Sequence, residues 1–128
     1  MLTIVGSVDI EKARQFLVRK VEARKKLSTA QLARARRDFQ AIALLAIQKY
    51  HPKRIWQWGS LVDGDGFSEI SDIDIAFEGF DSIESLFAFY GEAMRLTNFP
   101  LDVVRLEKIE PEFRELIVTQ GRVVHERT

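Results

Sequence analysis

One short segment constrains this chain more than any other, because it combines a strand-like run with two carboxylates. Gly59-Ser60 is followed, after eleven residues, by Asp72-Ile73-Asp74 at the start of an apolar stretch. Side chains alternate between the two faces of a strand, so Asp72 and Asp74 share one face while Ile73 takes the other. The two carboxylates then lie about 7 Å apart along the strand. This arrangement favours bridging of divalent metal ions such as Mg²⁺, which prefers oxygen ligands and is shared with substrate phosphates.

The composition of the chain is that of one globular domain. Its 128 residues, 46% of them apolar, suffice for a buried core, and we expect a single domain over residues 1–128. Cysteine is absent, which excludes disulfides and thiolate metal sites. No apolar run is long enough for a membrane span, so we expect a cytoplasmic protein that does not enter membranes.

The net charge of zero conceals an uneven distribution. Residues 1–54 carry 13 Lys and Arg against 4 Asp and Glu, a net +9, whereas residues 55–128 carry 6 against 15, a net −9. The basic half favours nucleic acid or an acidic partner. A solvated basic face on two helices is the alternative, and the more common reason for such a pattern.

Two helices are predicted before residue 51. An amphipathic helix is expected over residues 9–26, where apolar residues recur at helical spacing: Ile10, Ala13, Leu17 and Val21. A second helix, over residues 28–50, should end before His51-Pro52, since proline restricts the residue that precedes it. We expect the two helices to pair as a basic helical hairpin over residues 9–50.

The remaining chain, residues 54–128, is predicted to be the α/β core. Runs of β-branched and aromatic residues predict strands, and apolar stripes at helical spacing predict helices. In chain order we expect strand 54–58, a loop over 61–70, strand 71–78, a helix over 82–96 capped by Asp81, strand 101–106, a short helix from Pro111 and an edge strand at 123–125. The predicted fold class is therefore α/β (α+β), with a small mixed sheet of three or four strands flanked by helices. The predicted order α-α-β-β-α-β-α-β is not that of a Rossmann unit, and the chain contains neither a G-x-G-x-x-G motif nor a Walker lysine motif.

A third carboxylate decides between an ordinary acidic strand and a metal centre. Asp102 lies in Leu101-Asp102-Val103, a predicted strand that can pair beside strand 71–78. In that pairing Asp102 stands next to Asp72 and Asp74, because its apolar neighbours point to the opposite face. Three clustered carboxylates repel one another unless cations neutralise them. We therefore predict that these three aspartates are metal ligands and catalytic residues, with Asp102 also a candidate proton acceptor.

The Gly59-Ser60 dipeptide has a matching role as a phosphate-binding turn. A glycine at the end of a strand lets the backbone approach a phosphate closely. Backbone N–H groups and the Ser60 hydroxyl can then donate hydrogen bonds to phosphate oxygens. The alternative for Ser60 is an ordinary turn residue.

Structural roles remain open for other candidate residues. Asp102 could instead pair with Arg95 or Arg105 in a structural salt bridge. Trp56 and Trp58 share a strand face, which favours packing over base stacking.

The combined pattern of Gly-Ser, a gap of about ten residues, Asp-x-Asp and a later Asp on a strand resembles the DNA polymerase beta-like nucleotidyltransferases. The chain is similar in particular to the minimal nucleotidyltransferases of bacteria and archaea, over about residues 35–128. The resemblance implies that Gly59 and Ser60 bind the nucleotide phosphates and that Asp72, Asp74 and Asp102 hold metal. It also implies two Mg²⁺ ions and a nucleoside triphosphate, ATP, as substrate.

The same resemblance implies a partner protein. Larger relatives carry a further domain that grips the base or the acceptor, whereas minimal members are often encoded beside small helical HEPN-type proteins. Several such pairs are toxin–antitoxin systems, in which the transferase moves AMP from ATP onto a tyrosine of the HEPN ribonuclease. The resemblance thus implies an antitoxin that acts by AMPylation, in a hetero-oligomer or as a homodimer.

Two other functions are consistent with the sequence. The chain could be a non-catalytic antitoxin that neutralises its partner by forming a complex. It could also be a nucleic-acid-binding protein that uses the basic hairpin, in which case binding should fall steeply with salt.

Overall fold

The computed structural model describes residues 2–3, 10–23, 29–62 and 72–128. Within them lie four α-helices: α1 (Ile10–Ala23), α2 (Thr29–Leu45), α3 (Ile83–Ala93) and α4 (Pro111–Gln120). The strands are β1 (Leu2–Thr3), β2 (Arg54–Trp58), β3 (Ile73–Glu78), β4 (Leu101–Arg105) and β5 (Arg122–Glu126). The predicted order of helices and strands from residue 54 onward is confirmed. Residues 9, 24–26, 28 and 71 at the predicted ends of elements, and most of the predicted loop 61–70, lie outside the described residues.

These strands form one mixed sheet in the order β1-β4-β3-β2-β5. The neighbours β3 and β4 are parallel, whereas β2 runs antiparallel to both β3 and β5. The mixed sheet flanked by helices confirms the predicted fold class. The two-residue strand β1, which pairs with β4 at one edge, was not predicted, because so short a segment has no recognisable alternation.

Both faces of the sheet are apolar, and each is covered by its own helices. Odd-numbered strand residues such as Ile55, Ile75 and Val103 pack in one buried cluster with residues of α2 and α3. Even-numbered residues, among them Trp58 and Val104, pack in a second cluster with residues of α1 and α4. Strand alternation therefore accounts for the division of the core.

This division corrects the predicted helical hairpin. Both helices are present, but the described side chains of α1 and α2 belong to different clusters on opposite faces of the sheet. An apolar sheet face exposed to water is costly, so each face takes one of the two amphipathic helices. Pairing the helices with each other would leave the Trp56 and Trp58 face without the cover that α1 provides.

The ends of the helices follow local sequence signals. After Leu45, α2 continues as a π-helical turn (Ala46–Tyr50) that ends at His51, whose φ of 52° lies in the left-handed region, immediately before Pro52. The N-cap of α3 is Ser82, whose hydroxyl accepts a hydrogen bond from the Ser85 amide at 3.1 Å. The predicted cap, Asp81, precedes it by one residue and is corrected accordingly.

An ion-pair network joins β2, β3 and β5 at the N-terminal end of β2. The Arg54 guanidinium donates to Glu78 and to Glu126, each at 2.9 Å, and Trp56 Nε1 donates to Glu78 at 3.2 Å. Burial alone would raise the pKa of Glu78, but the hydrogen bonds from Trp56 and Arg54, with the positive charges of Arg54 and Arg114, lower it overall.

None of the helices in the described ranges is long and apolar enough to cross a membrane.

Candidate active site

Three strand ends meet at the edge of the sheet opposite the Arg54 network. Because β2 is antiparallel to β3 and β4 is parallel to it, the last residue of β2 lies beside the first residues of β3 and β4. The register makes Trp58 the partner of Asp74, and Asp74 in turn the partner of Asp102. Because side chains alternate between the two faces of a strand, the three carboxylates can cluster only in a pairing of this kind.

The structure brings all three predicted carboxylates together. Asp72, Asp74 and Asp102 each offer one carboxylate oxygen such that the three atoms lie within 4.8 Å of one another. Asp74 is 0% exposed and Asp102 2% exposed, while Asp72, just before β3, is half-buried. Oxygen donors at this spacing suit hard divalent cations such as Mg²⁺. The donor set therefore fits the metal that the sequence predicted, while the catalytic roles of the three residues stay a prediction.

The Gly59 backbone approaches the cluster so closely that a side chain at this position would displace the Asp74 carboxylate. Gly59 has a φ of 76°, in the left-handed region, and a Cβ built on it would contact Asp74 Oδ2 and lie 2.9 Å from Asp74 Cγ. Gly59 also begins a 3₁₀ turn, Gly59–Leu61, at the end of β2. The glycine thus meets both a conformational and a steric requirement.

Ser60 in this turn carries a buried hydroxyl. The residue is 1% exposed, and within the described part of the chain its Oγ has no hydrogen-bond partner. A buried hydroxyl without a partner costs free energy, so a native fold that keeps one usually has a use for it. A phosphate oxygen would be a suitable acceptor. The predicted roles of Gly59 and Ser60 in phosphate binding are consistent with this geometry and stay a prediction.

Aromatic packing supports the cluster from the same face of the sheet. Trp58 is 2% exposed, and its ring lies 5.9 Å from that of Phe16 in α1 and 5.8 Å from that of Phe113 in α4, measured between centroids. This is packing rather than a surface for stacking of a base, as the sequence favoured. The contribution of Phe16 was not predicted, because α1 was expected to pair with α2; helix α1 also packs against the turn Gly59–Leu61.

The alternation of side chains along β4 argues against a salt bridge between Asp102 and Arg105. Arg105 lies three residues further along the same strand and therefore on the opposite face. Asp102 faces Asp74 instead.

Comparison with known proteins gives one family. The model of the family described as "Polymerase beta, Nucleotidyltransferase" matches residues 40–128, well over half of the chain. The matched range includes the turn at Gly59 and all three aspartates, and leaves out α1 and the first part of α2. Among curated proteins, no match to the chain was found.

Proposed function

The chain belongs to the polymerase beta nucleotidyltransferase family, and we propose that it transfers a nucleoside monophosphate from a nucleoside triphosphate to a hydroxyl group. The observation that carries this proposal is the cluster of Asp72, Asp74 and Asp102, whose oxygens converge within 4.8 Å beside the Gly59 turn. Transfer of a nucleotidyl group requires that negative charge on the triphosphate be offset and that the attacking hydroxyl be activated.

The bond changes define what the site must do. In the proposed reaction, the acceptor oxygen forms a bond to the α-phosphorus, and the bond from that phosphorus to the bridging oxygen of the β-phosphate breaks. Pyrophosphate leaves with the electron pair, and the acceptor hydroxyl loses its proton. Mg²⁺ ions held by Asp72, Asp74 and Asp102 would supply Lewis-acid chemistry at the α-phosphate and the acceptor hydroxyl.

Protein groups complete the proposed site. The Ser60 hydroxyl and the backbone N–H groups of the turn donate hydrogen bonds to the β- and γ-phosphates. The absence of a side chain on Gly59 lets this backbone lie against Asp74, so phosphate-binding and carboxylate groups are held in one fixed geometry. The Asp102 carboxylate is the candidate acceptor for the proton of the attacking hydroxyl.

For the substrate pair, we propose ATP as donor and a tyrosine hydroxyl of a helical HEPN-type protein as acceptor, with the chain acting as the antitoxin. The support is the resemblance to minimal nucleotidyltransferases, whose acceptor is supplied by another chain. Because α1 and α2 lie on opposite faces of the sheet, they do not form one surface. The exposed basic residues of α1, Lys12, Arg14 and Arg19, are the proposed docking surface for that partner or its RNA.

The experiment is incubation of the chain with Mg-ATP and the HEPN-type protein encoded beside it, followed by intact-mass measurement. We expect the partner to gain the mass of AMP, and Asp72→Asn to abolish the gain while the circular dichroism spectrum is unchanged. Asp81→Asn, a change of charge on an exposed residue away from the cluster, is the matched control and should retain transfer.

The outcomes separate this proposal from the binding-module alternative. If the wild type forms a complex with the partner and silences it, yet adds no mass under any divalent metal, the chain acts by masking and the transfer proposal is wrong.

A further inference from the structure

A groove on the face of the sheet opposite the aspartates has the properties of a second binding site. It lies between α2 and β5 and has a volume of about 310 Å³. Gln57 lines it, and Gln57 pairs with Ile75 in the register, so its side chain lies on the α2 face, whereas Asp74 lies on the other. The groove is therefore separate from the carboxylate cluster.

Hydrogen-bond donors dominate the polar lining of this groove. Arg36 of α2 and Arg122 at the start of β5 both line it. Among the described residues that line the groove, none is acidic, and Asp38, the one acidic residue of α2, accepts a hydrogen bond at 2.6 Å from Thr97 instead. Two guanidiniums with no carboxylate in the described lining favour an anionic ligand, because the guanidinium fork matches phosphate and carboxylate oxygens.

A buried amide is the second, independent observation. Gln57 is 3% exposed, and its Oε1 accepts a hydrogen bond at 2.8 Å from Arg122 Nη2. The bond uses the carbonyl oxygen of the Gln57 side chain, and the amide nitrogen is the donor of the same group. Gln57 lines the groove, so its amide N–H₂ group can donate a hydrogen bond to a ligand acceptor there.

Apart from Gln40, the remaining lining of the groove is apolar, and part of it is exposed. Leu44 is 51% exposed and Val124 38% exposed at the rim, and Phe39 is buried at the base. A groove of this volume is at the lower end of the range for small-molecule sites, which combine apolar walls with a few placed polar groups. The ligand therefore needs an anionic group next to a flat or apolar body with hydrogen-bond acceptors.

We propose that this groove binds a nucleoside monophosphate, with the phosphate between Arg36 and Arg122 and the base edge at the Gln57 amide. The proposal does not rest on the transferase activity, because it involves neither the aspartates nor a triphosphate.

The test is a titration of ¹⁵N-labelled protein with AMP in the presence of EDTA, so that binding at the carboxylate cluster lacks its metal. We expect saturable shifts of the Gln57 side-chain amide and of the Val124 backbone amide, larger than those of Asp74 and Asp102. Arg36→Gln and Arg122→Gln should each weaken AMP binding about tenfold, because each removes charge-assisted hydrogen bonds to the phosphate. Arg34→Gln, on the same helix but outside the groove, is the matched control and should bind like the wild type.

Three results would overturn the proposal. They are an absence of saturable AMP binding, shifts confined to the carboxylate cluster, and equal affinity in the Arg36→Gln, Arg122→Gln and Arg34→Gln proteins. Inorganic phosphate, titrated in parallel, separates the two parts of the ligand: it should bind more weakly than AMP, and equal affinity would contradict the nucleoside assignment.

Discussion

The backbone of Gly59 lies against the Asp74 carboxylate, so that a Cβ at position 59 would come 2.9 Å from Asp74 Cγ and even closer to Oδ2. This one relationship links the turn that we propose for phosphate binding to the carboxylates that we propose for metal binding. A side chain at position 59 would displace Asp74, so the geometry of the site depends on a residue with no side chain.

Replacing Gly59 with alanine should damage the site far more than the fold. The left-handed φ of 76° costs an alanine about 1–2 kcal/mol of folding free energy, and the new methyl group must displace Asp74. A displacement on the order of 1 Å reduces transfer roughly 100-fold. Initial rates of AMP transfer and urea unfolding of the same preparation measure the two effects.

The matched control for this change is Gly91→Ala in α3. A Cβ at Gly91 meets no atom within 4 Å. At this exposed position of α3, the alanine should stabilise the helix by about 0.5–1 kcal/mol and leave transfer unchanged. Equal transfer rates in the Gly59→Ala and Gly91→Ala proteins would contradict the role given to Gly59.

Ser60→Ala should separate stability from function. Within the described chain the buried Ser60 hydroxyl has no partner, so its removal should leave the free energy of unfolding unchanged or raise it by about 1 kcal/mol. Loss of a hydrogen bond to a charged phosphate should weaken productive triphosphate binding about tenfold. The measurement is kcat/KM for ATP beside thermal unfolding. A clear loss of stability with unchanged kcat/KM would assign Ser60 to the turn alone.

The pH dependence of stability should include a contribution from Glu78. Its pKa is lowered in the folded state, so the folded protein binds fewer protons than the unfolded chain in acid. The stabilisation is present above the ordinary glutamate pKa of about 4.3 and is lost as the pH falls through the lower folded value.

Denaturant unfolding between pH 7 and pH 3 measures this contribution. Glu78→Gln should lower stability at pH 7 and flatten the acid limb relative to wild type. Glu115→Gln, a change at an exposed glutamate of α4, is the control and should keep the wild-type slope. Parallel acid limbs in all three proteins would rule out the contribution of Glu78.

Strand alternation made the site predictable from the sequence. Asp72 and Asp74 are two residues apart, and Asp102 lies between two apolar residues. These positions determine which face of the sheet each carboxylate takes once the strands pair. The pairing itself, Asp74 beside Asp102, had to be assumed, and the register confirms it.

Contacts between helices and strands that lie far apart in the sequence were not predictable in the same way. The amphipathic patterns of α1 and α2 indicate that each buries one face but not which surface covers it. The sequence analysis therefore predicted that α1 and α2 pair with each other, whereas they cover opposite faces of the sheet. The Gln57–Arg122 contact depends likewise on β5 returning beside β2, across a bulge between Ile55 and Trp56 that one sequence does not reveal.

The most direct test of the central claim is a calorimetric titration of Mn²⁺, a substitute for Mg²⁺, with and without ATP. The wild type should bind the metal, and more tightly with ATP present. Asp74→Asn and Asp102→Asn should each weaken metal binding at least tenfold, because each removes a buried anionic ligand, while Asp81→Asn should bind like the wild type. Unchanged Mn²⁺ affinity in the folded Asp74→Asn and Asp102→Asn proteins would contradict the account.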